Sequence, residues 1–385
     1  MIKTFTLLTE EVDDAGLAAG QIMSQLEKAG ELHKNTLGIV ACHYEYVFSG
    51  VLKAVCEALP FDVVGTISQI QGVCGRSGSL LLTILVMTSD DVRFVRAVTP
   101  SLLEEPGRVI AESYGAAAGM EKPALILAFA PFILQNSGDE YVAALSAASG
   151  GAPCFGTLAV DDTMDFSSCF MVADGEHYHD RMAMALVYGD ISPKFYVANI
   201  SHSRLIGRSA VVTKSAGHVL MEVNERPVVE YFEDLGLADA SEEQYAMSSL
   251  PFLLDYGDDT PMVSKLFIKL SPEKYAICAG AMPEGSRMHI AMSDEEDVMV
   301  TTGEALDRML CDISGASGAL IYSCVARCMT LGAKQFGEIG AADGKLGGKL
   351  PFMVACSGGE ICPSQVSDDL AINRFHNNAF IACMF

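Results

Sequence analysis

Short apolar runs, separated by segments that contain glycine and proline, recur along the chain and predict buried β-strands. In three stretches, residues 37–87, 125–173 and 319–384, these runs follow one order. A strand comes first, then a helix, a strand that begins at a proline, a glycine-rich loop and a further strand. Open α/β sheets bind ligands at the ends of their strands, so the glycine-rich loops are candidate binding positions.

Further elements lie outside this repeated order. The pattern predicts an amphipathic helix over 13–29 that stops at Gly30, and two strands over 182–188 and 194–199. The elements predicted within the three stretches are strand 37–42, helix 46–59 and strands 60–65 and 80–87; strand 125–129, helix 140–148 and strands 153–156 and 170–173; strand 319–324, helix 328–339 and strands 351–355 and 379–384.

The chain of 385 residues is longer than one hydrophobic core usually serves, which favours two domains. An acidic, polar stretch is the best candidate for a linker, and we place it at 234–247. It would separate an N-terminal domain, 1–233, from a C-terminal domain, 248–385. The predicted fold class is α+β, with mixed β-sheets flanked by helices and built from repeated β-α-β-β units.

The composition narrows the class of protein. Half of the residues are hydrophobic and 19% are charged, which is typical of a packed globular protein. The formal net charge is −24, and a strongly acidic chain repels nucleic acids and anionic lipid surfaces. We therefore expect no nucleic-acid partner.

Membrane and metal sites are also disfavoured. The longest apolar run, 123–134, is shorter than the roughly 18 residues that a spanning helix needs, and the N-terminus does not resemble a signal peptide. We expect no membrane insertion and a cytoplasmic location. The twelve cysteines include no C-x-x-C pair, and most lie in apolar runs, so we expect no metal and no cofactor.

A lone arginine follows the apolar strand that ends in Ser323-Cys324-Val325-Ala326-Arg327. A charge among strand-forming residues is costly to bury without a partner, so such positions tend to line pockets. Arg327 can bind a carboxylate through two parallel hydrogen bonds. The alternative is an internal ion pair with Glu338 or Glu360. The charge of Arg327 could also activate Cys324 as a nucleophile, although most cysteines here suit a structural role.

The segment Ser357-Gly358-Gly359-Glu360 combines accessible backbone N–H groups with one carboxylate. Together they can bind both ends of a zwitterion. Glycines in a hairpin or a β-bulge would give the same sequence, so this alternative stays open.

Asp161 and Asp162 follow a predicted strand and a turn that contains Gly156. One carboxylate could receive the amino group of a small ligand or hold a cation. The alternative is that the pair caps local backbone N–H groups or faces water.

Two other polar segments favour structure over chemistry. Residues 174–180 contain His-x-His and several acids, but their Asp-Gly between apolar runs is typical of a hairpin turn. Residues 72–78 are rich in glycine and lack the order of a phosphate-binding loop.

Five segments together resemble the FIST family of intracellular sensory proteins, which have an N-terminal and a C-terminal FIST domain. The segments are Phe155–Asp162, Val212–Lys214, Val223–Pro227, Ser323–Arg327 and Gly359–Ile361. The resemblance implies a ligand pocket that includes Ser357, Gly359 and Glu360. Asn377 matches a polar position of the family's C-terminal motif, where it could reach the ligand or only form the turn before the last strand. The first repeated stretch departs from many relatives, because residues 65–70 contain Gln69 and no glutamate.

The resemblance implies a non-catalytic sensor of a small polar ligand, such as an amino acid or a related metabolite. Its candidate ligand-binding residues are Asp161, Asp162, Cys324, Arg327, Ser357, Gly359, Glu360 and Asn377. The sequence contains no kinase, cyclase or DNA-binding motif, so the output would pass through a separate signalling protein or through self-association as a homo-oligomer. Two alternatives stay open: an enzyme with Cys324 as its nucleophile, and a scaffold that recognises a partner protein.

Overall fold

The computed structural model describes residues 1–119, 121–163, 166–236, 251–367 and 370–385. Three of its β-sheets are built alike from three successive repeats of the chain, and a fourth sheet belongs to an insert in the third repeat. None of the helices in these ranges is long and apolar enough to cross a lipid bilayer.

The first repeat spans residues 3–89. Asp14 caps its first helix by accepting a hydrogen bond from Leu17 N, and the helix stops before Gly30, whose φ is +95°. Gly50, with φ +79°, divides the predicted helix 46–59 in two. The elements are β1 (Lys3–Thr9), α1 (Ala15–Ala29), β2 (Asn35–Cys42), α2 (Glu45–Phe48), α3 (Val51–Ala58), β3 (Asp62–Ile67), β4 (Gln71–Val73), β5 (Arg76–Gly78) and β6 (Leu82–Ser89).

The second repeat, residues 93–188, has the same order. Its elements are β7 (Arg93–Val98), α4 (Pro106–Ala118), β8 (Leu125–Ala130), α5 (Gly138–Ser149), β9 (Cys154–Leu158), β10 (Met171–Ala173), β11 (Glu176–Tyr178) and β12 (Ala183–Tyr188). The predicted strand 170–173 is wrong as the last strand of this repeat. It opens the β10–β11 hairpin, and β12 is the last strand instead.

The third repeat begins with β13 (Lys194–Ala198) and is then interrupted by an insert, residues 205–291. In its described residues, 205–236 and 251–291, the insert has an antiparallel sheet and a short helix over an apolar core of its own, which contains Phe232, Phe252 and Met288. Its elements are β14 (Leu205–Ala216), β15 (Val219–Val223), β16 (Arg226–Pro227), α6 (Val228–Asp234), β17 (Phe252–Asp255), β18 (Val263–Lys265), β19 (Phe267–Leu270), β20 (Ala276–Cys278) and β21 (Arg287–Ala291).

After the insert the third repeat resumes the common order. The single helix predicted over 328–339 is two helices, α8 and α9, joined by a 3-10 turn at Gly332–Lys334. The elements are α7 (Glu295–Cys311), β22 (Ala319–Cys324), α8 (Val325–Leu331), α9 (Gly337–Leu346), β23 (Phe352–Ser357), β24 (Glu360–Ser367), β25 (Leu370–His376) and β26 (Phe380–Met384).

The repeats exchange hairpins in a closed cycle. The β4–β5 hairpin of the first repeat extends the sheet of the third, the β10–β11 hairpin of the second extends the sheet of the first, and the β24–β25 hairpin of the third extends the sheet of the second. The three sheets therefore have equivalent orders, β1-β6-β2-β3-β10-β11, β7-β12-β8-β9-β24-β25 and β13-β26-β22-β23-β4-β5.

The three sheets surround one shared apolar core, and helices cover their outer faces. In β2, Ile39 and Ala41 face the shared core, whereas Val40 and Cys42 face α1 and α3. This alternation is the two-residue period of a strand that is buried on both faces. Each large aliphatic side chain buried in this way contributes about 1.5–3 kcal/mol.

The predicted division into domains stays a prediction. Residues 237–247 of the predicted linker lie outside the described residues. Strands on the two sides of it share sheets, because β13 pairs with β26 and β14 pairs with β21. The predicted α+β class with mixed sheets and helices is confirmed.

Candidate functional site

The ends of two parallel strands bring the main candidate residues together. In the register of β22 and β23, Cys324 pairs with Ser357, so both lie at the same edge of the third sheet. Glu360 begins β24 three residues after Ser357 and pairs with Thr157 of β9. Cys324, Ser357 and Glu360 are all buried. This edge is where the repeated pattern predicted a ligand site.

The turn from β23 to β24 is held by Ser357. Its hydroxyl donates to Gly359 O at 2.9 Å and accepts from Gly359 N at 3.0 Å and from the Thr157 hydroxyl at 2.6 Å. Gly359 has φ +150°, and a Cβ on it would lie 2.3 Å from Cζ of Phe375. Glycine is required here for both the conformation and the space.

Glu360 is fully buried and only partly hydrogen-bonded. Its Oε2 accepts from Ala379 N at 3.4 Å, while its Oε1 has no partner. Burial raises the pKa of Glu360 well above its usual range, and the nearby hydroxyl of Ser357 and thiol of Cys324 oppose that rise. The protonated, uncharged carboxyl is therefore favoured.

Cys324 lies in surroundings that favour the thiol. Burial, and next the neighbouring carboxyl of Glu360, raise the pKa of Cys324 well above its usual range, while the N–H groups of Ala326 and Asn378 oppose the rise. Because the thiolate is the nucleophile, this arrangement weakens the hypothesis of a catalytic Cys324.

Three consecutive polar residues lie beside Glu360 at the end of β25. His376, Asn377 and Asn378 are each at most 1% exposed. Asn377 N donates to Ser264 O of the insert at 3.0 Å. The side-chain nitrogen of Asn377 lies close to Gly359, since a Cβ on Gly359 would be 3.3 Å from it. We call Ser264, Glu360, His376, Asn377 and Asn378 the polar cluster.

The polar cluster is short of hydrogen-bond partners. Seven of its buried side-chain atoms have none: Ser264 Oγ, Glu360 Oε1, His376 Nδ1, and both amide atoms of Asn377 and of Asn378. His376 is also uncharged, because burial and then the charge of Lys265 lower its pKa to about 3. The cluster is thus a neutral set of unused donors and acceptors.

Arg327 lies next to this edge, and its side chain forms an internal ion pair with Glu338, which was the alternative to binding a ligand. The side chain is fully buried, and its Nε donates to Glu338 Oε1 at 3.0 Å. Its Nη2 donates to Val298 O at 3.0 Å and to the Thr302 hydroxyl at 2.8 Å. Ser323 and Thr302 donate to the same carboxylate. The guanidinium therefore holds α7, α8 and α9 together.

Asp161 and Asp162 do not share these contacts. Asp161 is buried and accepts from Thr163 N at 3.2 Å and from Ser168 N at 2.6 Å, so it stabilises its own loop. Asp162 is half-exposed and lies 3.3 Å from His43 Nε2 of the first repeat. Both aspartates therefore have partners other than Arg327 and Glu360.

An open cleft of about 1030 Å³ separates the insert from the third repeat. His376, Thr301 and Ser201 are among the residues that line it. Three lining residues have a buried side-chain atom without a partner, namely His376 Nδ1, Ser364 Oγ and Asn199 Oδ1. His376 is the member of the polar cluster that also lines the cleft, so the cleft reaches one side of the cluster.

The remaining polar segments are structural. Residues 174–180 form the turn and second strand of the β10–β11 hairpin, where His177 and His179 pack edge-on against Phe170. Residues 72–78 form the β4–β5 hairpin. Within the described ranges, no group of three or more histidine, cysteine or acidic side chains is placed to hold a metal ion.

Sequence reasoning singled out five residues that the structure brings together: Cys324, Ser357, Gly359, Glu360 and Asn377. It missed Ser264, because the insert supplies it from a strand with no special pattern. It also missed Lys265, which is fully buried and pairs with Asp139 of α5 at 2.8 Å. A lysine between apolar strand residues was the available signal for that contact.

Two protein-family models match the chain and define its class. The chain matches the FIST N domain over residues 36–226 and the FIST C domain over residues 227–363. It belongs to the FIST family, whose domains are sensory domains associated with signalling. No curated protein matches the sequence.

Two solved structures resemble the chain weakly. Cyanuric acid hydrolase from A. caulinodans aligns with 100% of this chain and 98% of its own, at 11% identity and a TM-score of 0.39. Phosphoribosylformylglycinamidine synthase II from Thermotoga maritima aligns with 100% of this chain and 71% of its own, at 10% identity and a TM-score of 0.19. Scores this low do not establish a shared fold.

Proposed function

We propose that this protein is a non-catalytic sensor that binds a small polar ligand at the polar cluster. One observation carries the proposal, namely the seven buried side-chain atoms without a partner in five neighbouring residues. Each such atom costs about 1–3 kcal/mol, while a whole domain is stable by only about 5–15 kcal/mol. A fold retains such a group most readily where a bound molecule supplies the missing hydrogen bonds.

In the proposal, the ligand enters through the cleft, and the insert transmits the signal. The cluster is formed from both sides, because Ser264 belongs to the insert and the other four residues belong to the third repeat. A ligand that bridges them changes how firmly the insert is held to the body of the protein. In the proposal, a separate signalling protein in the cytoplasm, or a second copy of this chain, reads that change.

An amino acid or a related metabolite is the ligand class that the family resemblance implied, so the test begins there. Thermal unfolding of the wild type is measured with each free amino acid and then with other small polar metabolites at millimolar concentration. A ligand that binds only the folded state stabilises it by about 2.7 kcal/mol at one hundred times its Kd, which corresponds to a rise in Tm of several degrees.

Two variants make the test specific. Asn377→Ala removes two of the unpartnered atoms and is expected to abolish the rise in Tm. Gln365→Ala, on the exposed part of β24, is the matched control and is expected to respond like the wild type. A complete panel without any rise, or an equal rise in Asn377→Ala, would overturn the proposal.

A further inference from the structure

The charged groups around the polar cluster are already paired. Arg327 pairs with Glu338, Lys265 pairs with Asp139, and Arg374 pairs with Asp258. Lys265 Nζ donates hydrogen bonds to both carboxylate oxygens of Asp139, at 2.9 and 2.8 Å, and to Phe375 O at 2.7 Å. Each of these three cations therefore has a counter-charge within the protein, although Nη1 of Arg327 and Nε of Arg374 are buried without a hydrogen-bond partner.

The unpaired groups of the cluster are neutral, and their roles can be assigned. His376 Nε2 lies 3.2 Å from Cys362 O, which only accepts, so Nε2 carries the proton and Nδ1 is an acceptor. Asn377 and Asn378 each offer one carbonyl and one NH₂ group. Glu360 and Ser264 each offer a hydroxyl, because burial favours the protonated carboxyl of Glu360.

These surroundings disfavour the binding of a charged ligand. Moving an ion from water into a protein interior costs several kcal/mol unless an opposite charge receives it. The cluster offers amides, an imidazole and hydroxyls, which return hydrogen bonds but no charge. An amide, in contrast, presents one acceptor and one or two donors, and it matches such a set without an ionic partner.

Resting on the proposed function, we propose that the ligand of the polar cluster is an uncharged molecule with adjacent hydrogen-bond donors and acceptors, of the amide or urea class. An amino-acid zwitterion, whose two charges would need two opposite charges, is then excluded from the cluster. Asn377 and Asn378 are the residues that recognise the ligand, His376 and Glu360 add one contact each, and Ser264 closes the site from the insert.

Matched pairs of probes that differ in charge test this inference by calorimetry and thermal unfolding of the full chain. The pairs are acetamide with acetate, nicotinamide with nicotinate, and uracil with orotate, and glycine and glutamine serve as zwitterions. At least one neutral probe is expected to bind, and at least tenfold more tightly than its charged partner. For that probe, Glu360→Gln is expected to change Kd less than Glu360→Ala does, because glutamine keeps a neutral hydrogen-bonding side chain.

The outcomes separate the two proposals. Binding of a zwitterion or an acid at the cluster, lost in Asn377→Ala, while neutral probes fail, would overturn the inference of an uncharged ligand and leave the sensor proposal standing. No response to any probe or metabolite would mean that water alone satisfies the cluster, and both proposals would fall. Neutral probes that bind equally well to Asn377→Ala would overturn the assignment of the site.

Discussion

Arg327 shows how one residue decides the stability of the third repeat. Its guanidinium and the Glu338 carboxylate are both buried, and three helices contribute to their hydrogen bonds. Arg327→Ala leaves a buried carboxylate without its counter-charge, which costs about 3–5 kcal/mol. We expect that loss in the free energy of unfolding measured with urea.

Arg108→Ala is the control for this prediction. Arg108 is exposed and pairs with Glu105 and Glu112 on the surface of α4, where salt bridges contribute little. Equal losses for the two variants would contradict the structural role of Arg327. The sequence allowed Arg327 to pair with Glu338, with Glu360 or with a ligand, because the choice depends on how α9 packs against β22.

The raised pKa of Glu360 predicts that the folded state loses stability as pH rises. In the unfolded chain the pKa of its carboxyl is about 4.3, while burial raises that pKa in the folded state. Between the two pKa values the folded state holds more protons, so the free energy of unfolding falls as pH rises, by at most about 1.4 kcal/mol per pH unit. Urea unfolding between about pH 5 and pH 7 should show the wild type losing stability relative to Glu360→Gln.

His376 gives the opposite sign. Its pKa is lowered to about 3 in the folded state, whereas the pKa of a free histidine is about 6.5. Below about pH 6.5 the unfolded state binds more protons, so the contribution of His376 to stability is lost as pH falls toward 3. The wild type is therefore expected to lose stability relative to His376→Gln on acidification. Differences of the same sign for the two variants would rule out this assignment of protonation states.

At the scale of elements, two glycines allow neighbouring parallel strands to pack closely. A Cβ on Gly65 of β3 would lie 1.9 Å from Val40 O, and a Cβ on Gly156 of β9 would lie 1.8 Å from Ala128 O. Gly65→Ala forces the β2–β3 pair apart, and such overpacking costs about 1–3 kcal/mol or more. Thermal unfolding of the variant should show a clearly lower Tm.

Gly20→Ala is the matched control. Gly20 lies on the exposed side of α1, and apart from the adjacent backbone of that helix a Cβ there would have no heavy atom within 4 Å. Alanine favours a helix over glycine by about 1 kcal/mol, so a small rise in Tm is expected. A loss of stability at Gly20 as large as at Gly65 would show that the effect is not steric.

The strands next to these glycines could be predicted because burial on both faces gives continuous apolar runs. The predicted runs 37–42, 125–129 and 319–324 correspond to β2, β8 and β22. The short strands of the exchanged hairpins were harder to predict. β10 has only three residues, and its apolar pattern does not show which sheet it joins. The candidate site was found where these parallel strands end, but its contribution from the insert was not, because pairing between distant strands leaves no local pattern.

For the whole molecule, the closed exchange of hairpins predicts that the repeats do not fold independently. A fragment of residues 1–190 keeps the first sheet but lacks β24 and β25, which complete the second. It also lacks the third-repeat residues of the shared core, such as Leu320 and Ile381. We expect this fragment to show no cooperative thermal transition by circular dichroism. A sharp transition near that of the full chain would contradict the prediction.

The same exchange has a consequence for synthesis on the ribosome. Gly72 of β4 pairs with Val354, which the ribosome makes long after β4. Until then the β4–β5 hairpin and the outer edges of the unfinished sheets present free backbone groups that can pair with other nascent chains. The nascent chain is thus open to aggregation until β23 has emerged, and we expect the yield in cells to depend on chaperones that shield these edges.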